Sequence, residues 1–249
     1  MGWLHVRATD GRLGARPFCL KANREILNPA DYDAWYGTER GRWIGETEYR
    51  LLADKLAPRA GERVLDVGCG TGWFTRHLAH DLSGPSGPVT GLDLNADALR
   101  FAAQHDATSA YVQADARRLP FADNAFDRVC SIAALCFVDA WPLALTEIVR
   151  VTRKRFAIGL LNRHSVLWLE KGRRGGTGAY RGAHWHTPAE LRRALEALPV
   201  NRVELTSAVF LPGGSRAARW VEKTVSNSVL HGAFLIVSGE KRGHTESPD

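Results

Sequence analysis

The residues best suited to chemistry lie in Val64-Leu65-Asp66-Val67-Gly68-Cys69-Gly70-Thr71-Gly72, where an apolar strand ends near a carboxylate and three glycines precede a helix. A turn of this kind lets a ligand approach the backbone without Cβ interference and points unpaired helix N–H groups at it. A triphosphate-binding loop needs Gly-Lys-Ser/Thr, which is absent. A dinucleotide fingerprint needs glycine at the sixth position from Gly68, where Trp73 stands. Downstream, Asp93 closes the run Gly91-Leu92-Asp93-Leu94, 27 residues after Asp66, where a carboxylate can take both hydroxyls of a ribose. Gln113-Ala114-Asp115-Ala116 presents another acid after a third apolar run. Among the histidines, His164 and His186 follow the fifth run, so they are the candidates for a general base. No metal site is expected of His184 and His186, because Trp185 separates them and no acidic partner lies close.

These residues need elements to hold them. Short β-rich runs at 64–67, 88–93, 110–113, 126–130 and 155–160 alternate with helix-length segments near 72–81, 95–105 and 139–152. That alternation predicts a parallel sheet covered by helices on both faces. Upstream, Asn28 can cap a short helix through Tyr36 with Pro29 at its first position, and a second helix runs from Glu39 to Ala57. Residues 1–27 read as a loose basic arm. After the fifth run come a glycine-rich loop at 171–182, a helix opened by the capping box Thr187-Pro-Ala-Glu190, and strands near 201–209 and 232–240. No internal repeat is visible.

On these motifs the chain resembles the class I S-adenosylmethionine-dependent methyltransferases, whose first motif is a strand followed by Asp/Glu-x-Gly-x-Gly-x-Gly. It is most similar to the small-molecule branch that includes the ubiquinone/menaquinone-biosynthesis C-methyltransferases. The likeness spans residues 28–240 and includes Phe126-Asp127-Arg128-Val129 with Glu147-Ile-Val-Arg150-Val151. It implies a Rossmann-like, doubly wound, seven-stranded sheet, mostly parallel with the last strand antiparallel, in one domain over 28–249. Within it, 28–60 would be a helical cover, 61–160 the cofactor-binding core and 161–249 the acceptor-side loops and final strands. It implies S-adenosyl-L-methionine as cofactor, with Gly68, Gly70 and Gly72 near its methionine part, Asp93 on the ribose and Asp115 on the adenine amino group. Asp66 would bond the turn or, indirectly, the methionine ammonium; a purely turn-fixing role is equally open. Cys69, Leu94, Ala116 and Ser131 complete the expected cofactor set, with Cys69 acting as a small hydrophobe rather than a nucleophile.

The resemblance also constrains the acceptor. Members that methylate nucleobase amines or glutamine amides carry Asp/Asn-Pro-Pro-aromatic after the fourth strand. Here the sequence reads Ser131-Ile-Ala-Ala-Leu-Cys136-Phe137, an apolar wall suited to an uncharged or aromatic acceptor. Cys130 and Cys136 lack the spacing expected for metalloid chemistry. Asp31-Tyr32-Asp33-Ala-Trp35-Tyr36 and Arg42-Trp43 are similar to the family's cover, either facing the sulfonium or serving as core anchors. Where the branch has Lys-Pro-Gly-Gly, this chain has Thr152-Arg153-Lys154-Arg155, which predicts a differently built turn and a basic patch; Lys171-Gly-Arg-Arg174 predicts a second. The reading is methyl transfer to O or C of a small aromatic, quinone-like or lipid-like acceptor. The alternatives are an RNA methyltransferase using the basic patches and a cofactor-binding module without turnover.

Composition agrees with a globular chain: 249 residues, 45% hydrophobic, 24% charged and a net charge of +6. Only six of its 33 cations are lysines, and the cationic excess by itself selects no partner. No segment approaches the roughly 18–20 apolar residues of a membrane span. The N-terminal stretch is too polar for a signal peptide, and the four cysteines show no paired spacing. A cytoplasmic protein with reduced thiols and a small-molecule acceptor is expected, with nucleic acid disfavoured as a partner. The sequence sets no oligomeric state.

Overall fold

A computed structural model describes residues 28–82 and 89–243. The N-terminal arm and the predicted strand start at Pro88 lie outside the described residues. Chain order is α1 (Pro29–Trp35), α2 (Glu39–Leu56), β1 (Val64–Val67), α3 (Trp73–Asp81), β2 (Thr90–Asp93), α4 (Ala96–His105), β3 (Ala110–Gln113) and β4 (Phe126–Ile132). Then follow α5 (Trp141–Val151), β5 (Thr152–Leu161), α6 (Pro188–Glu196), β6 (Val200–Ala208), α7 (Arg216–Thr224) and β7 (Phe234–Lys241). The strands form one seven-stranded sheet, β3-β2-β1-β4-β5-β7-β6. β1 to β5 are parallel, and β7 enters antiparallel between β5 and β6. The fold is the Rossmann-like doubly wound sheet that the family resemblance implied, with the parallel strands that the alternation predicted.

The central strands are covered on both faces. Every residue of β1 and the first six of β4 are buried, which is why these runs read as continuous rather than alternating. Helix starts follow their caps: Asn28 accepts from the Ala30 N–H, Thr38 from Gly41, and Thr187 from Glu190 in a complete capping box. α2 buries Trp43, Ile44, Leu51, Leu52 and Leu56, which seats the helical cover on the sheet.

The differently built turn predicted at 152–155 is replaced by direct passage from α5 into β5. Thr152 donates its hydroxyl to Ile148 O at 2.7 Å, and all four residues belong to β5. The basic patch there is neutralised. Arg153 pairs with Asp127, Lys154 with Glu62 at 2.8 Å, and Arg155 with Glu240 at 3.4 Å. Arg128 and Glu62 form a buried pair at 2.8 Å behind them. This cluster stands at the N-terminal ends of β4 and β5, the opposite edge from the glycine turn. α7 is a helix that the sequence pattern does not predict. Ser215 caps it, its charged and apolar residues lie on opposite faces, and among its residues only Ala218 is buried.

Candidate functional site

The C-terminal edge of the parallel strands holds the first half of the site. Gly68, Gly70 and Gly72 all have left-handed φ, at 78°, 55° and 77°. Two are also required by packing. A Cβ at Gly68 would stand 2.1 Å from the Ala134 Cβ, and one at Gly72 would stand 2.7 Å from the Tyr111 hydroxyl. Gly70 has nothing within 4 Å of that direction, so the turn is open above it. Gly68 and Cys69 N–H groups both donate to Leu92 O, at 2.6 and 2.9 Å, tying the turn to β2. Asp93 then spans the gap: one oxygen accepts from Gly70 N–H and the other from Asn95 N–H, each at 2.8 Å. A carboxylate has about four lone-pair sites, so half of its accepting capacity is free for a ligand.

Asp66 lies beneath the turn rather than on it. Burial pushes its carboxyl up to about 6, against the opposing hydrogen bond from the Thr75 hydroxyl, and nearby Asp93 adds to the rise. Thr75 donates at 2.7 Å, which locks β1 to α3. Burial also raises the Cys69 and Cys130 thiols well above their usual range and Cys136 to about 12, so all three stay protonated and poorly nucleophilic. Asp115 is half-exposed and accepts from the Arg117 side chain at both oxygens, at 3.0 Å on Oδ1 and 2.6 Å on Oδ2. Leu94 is half-exposed at 50% and Ala116 partly buried, whereas Ser131 is fully buried with its hydroxyl unbonded among the described residues.

The cover closes on α3. Tyr36 stacks on Trp73 with centroids 4.5 Å apart, and Trp73 stacks on His77 at 3.8 Å. The residue that excluded a dinucleotide fingerprint is thus the plate that receives the cover. Asp33 of α1 pairs with Arg76 at 2.8 Å, and Arg76 also donates to Thr71 O in the turn at 2.6 Å. Trp43 is a buried core anchor, while Trp35 is at the surface.

Beyond β5 lies the other half. His164 is exposed, its ring 6.4 Å from His231. His186 is entirely buried, edge-on to Trp141 at 4.8 Å and to His184 at 4.4 Å. Neither ring nitrogen has a hydrogen-bond partner among the described residues, an omission that costs about 1–3 kcal/mol per buried polar group. Burial, with a smaller contribution from His184, pushes its imidazole down to about 3, so it is neutral and a weak base. The expectation that no acid stands near these histidines is corrected. The capping box folds Glu190 back, bringing its carboxylate to 2.8 Å from His184 Nε2.

A methyltransferase-domain family model matches residues 65–156. A malonyl-[acyl-carrier protein] O-methyltransferase of Erwinia pyrifoliae is 37% identical over 142 residues, 54% of this chain and 51% of that protein. The chain spans about half or less of the length of the first such relatives it matches. An uncharacterized Mycobacterium tuberculosis protein is 32% identical over 230 residues, 88% of this chain and 74% of that one. Among solved structures, a methyltransferase of Thermotoga maritima described as a possible histamine N-methyltransferase superposes with a TM-score of 0.69 at 20% identity, over 86% of this chain and 95% of that chain. The chain belongs to the class I S-adenosylmethionine-dependent methyltransferases.

The donor set fits the cofactor of that family: an open backbone turn at Gly70, an acid ending β2 and another just past β3, and an aromatic cover. The other family matches prove structural. Glu147 accepts from Leu119 N–H at 2.8 Å, and Arg150 donates to Phe121 O at 2.8 Å and Leu119 O at 3.1 Å, so the pair staples the loop before β4. Sequence reasoning missed Glu48. This half-buried carboxyl of α2 forms no hydrogen bond or ion pair among the described residues, and burial raises it to about 8. Its charge bears on Tyr36 and Tyr180, the latter from the glycine-rich loop, and both phenols are raised first by their own burial. The signal was readable: position 48 falls four residues from both Ile44 and Leu52, on the apolar stripe of the helix.

Proposed function

We propose that this methyltransferase binds S-adenosyl-L-methionine on the Gly68–Gly72 turn and transfers its methyl group to oxygen or carbon of a small organic acceptor. The observation that carries the reading is the clasp of Asp93 on Gly70 N–H across an otherwise open turn. Asp93 holds the ribose, Asp115 the adenine amino group, and the glycine turn the methionine part, with Leu94 and Ala116 against the base. Cys69 lines the turn as a small apolar group, and Asp66 acts through Thr75 to fix it. Ser131 is the least accessible of the set, and its unbonded hydroxyl is the group a ligand at that depth would satisfy.

The cofactor supplies an activated methyl group, so the chain's task is alignment and exclusion of water. Alignment of this kind is worth roughly 7–11 kcal/mol. The α1–α2 cover supplies exclusion by stacking Tyr36 on Trp73. An aromatic, quinone-like or lipid-like acceptor suits the apolar segment 131–137 and the Tyr36 and Tyr180 rings. The Erwinia relative is named for O-methylation of a malonyl group on an acyl carrier, so an acyl carboxylate joins that class, and a carboxylate needs no base. Where a proton must leave, His164 and His186 are the candidates; His164 is the freer of the two, and Glu48 joins them with a carboxyl near 8.

Methyl-labelled S-adenosylmethionine incubated with fatty acids, acyl thioesters, hydroxyquinones, phenols and RNA tests this. Label transfer to an acid, quinone or phenol is expected. Transfer to RNA alone, or retained cofactor binding with no transfer to any acceptor, contradicts it.

A further inference from the structure

We propose that His184, His186 and Glu190 form a binding site for one divalent transition-metal ion of the zinc type, beyond the C-terminal ends of β4 and β5. The backbone assembles the three. His184 N–H donates to Cys136 O at 2.7 Å, His186 N–H donates to Leu161 O at 2.8 Å, and His186 bridges Asn162 just past β5. Two residues later the capping box starts α6 and turns Glu190 back over both rings.

The side chains meet the geometric requirement. One donor atom from each residue lies within 4.8 Å of the others. A tetrahedral ion with ligand bonds of about 2.0–2.1 Å holds its ligand atoms roughly 3.3 Å apart. His184 Nε2 stands 2.8 Å from Glu190 Oε1 and His186 Nδ1 4.0 Å from Glu190 Oε2, so the two rings approach different oxygens of one carboxylate, and a small rotation of that carboxylate gathers the set around an ion. Two imidazoles and one carboxylate form a set suited to zinc and its neighbours, leaving a fourth position for water or an oxygen ligand.

The second observation is independent of the spacing. The buried His186 ring has no hydrogen-bond partner at either nitrogen among the described residues, although a neutral imidazole carries both a donor and an acceptor. Coordination at Nδ1 supplies the partner that nitrogen lacks. Entry is open from the other side, where the His184 and Glu190 side chains are 45% and 32% exposed. Glu190 can serve both purposes, because Oε1 faces His184 while Oε2 accepts from Thr187 N–H at 3.3 Å. None of the three residues belongs to the cofactor set; an ion held at His186 Nδ1 would take that ring out of proton transfer and leave His164 and Glu48 as the candidate bases.

The test uses the full chain, stripped with chelator, with Zn²⁺ titrated by calorimetry and Co²⁺ by visible absorption. One ion per chain is expected, with the intense bands of tetrahedral Co²⁺. Glu190→Gln keeps a capping-box residue while removing a charged ligand, and His184→Asn removes an exposed one. Each is expected to weaken binding at least tenfold while circular dichroism and S-adenosylmethionine affinity stay unchanged. Absence of saturable binding, or saturable binding that neither substitution alters, overturns the proposal. If Glu190→Gln loses its fold, His184→Asn decides.

Discussion

The turn after β1 and the segments after β5 occupy the same edge of one sheet, yet they are built on opposite principles. The turn is nearly all backbone: Gly68 and Cys69 bond to Leu92, Gly70 bonds to Asp93, and the one deeply buried acid, Asp66, is tied to Thr75. The segments beyond β5 are built from side chains, and several are unsatisfied. The His186 ring and the Trp185 indole N–H lack partners among the described residues, and Glu48 on the facing helix is unpaired. A site that must hold a constant ligand can be fixed by backbone geometry, and the replaceable side chains beyond β5 suit the acceptor side proposed for them.

Substitutions at glycines on the two sides should break or sharpen this contrast most. Gly68→Ala places a methyl 2.1 Å from Ala134 at a φ of 78°, and a loss of about 3 kcal/mol is expected in denaturant unfolding. Gly175→Ala, at a φ of 86° with open space around it, should cost only about 1 kcal/mol. Equal losses would contradict the claim that the turn is packed and the later loop is not.

A smaller effect comes from pH. Glu48 is raised from about 4.5 to about 8 by burial. The unfolded chain therefore ionises first, and stability falls as pH rises from about 4.5 to about 8, by at most about 1.4 kcal/mol per unit. Glu48→Gln should flatten that part of the stability curve and leave cofactor affinity in place. A curve parallel to that of the unsubstituted chain would show that Glu48 is solvated.

The same contrast explains how much of the molecule is legible in its sequence. The glycine turn, the carboxylate closing the second run at Asp93 and the strand–helix alternation are local patterns readable from residue types and spacing, whereas Asp115 is singled out only by the family resemblance. The ion pairs that absorb Arg153, Lys154 and Arg155 come from Asp127, Glu62 and Glu240, up to 92 residues away, and no local pattern announces them. Glu190 reaches His184 only because a capping box reverses its side chain. Among the described residues no helix is long and apolar enough to cross a membrane.

The central claim is that Asp93 and the open turn at Gly70 hold the cofactor. Titration calorimetry of S-adenosylmethionine against the unsubstituted chain and Asp93→Ala tests it most directly. The account predicts saturable one-to-one binding that weakens well over tenfold in the variant; the same affinity in both chains would contradict it.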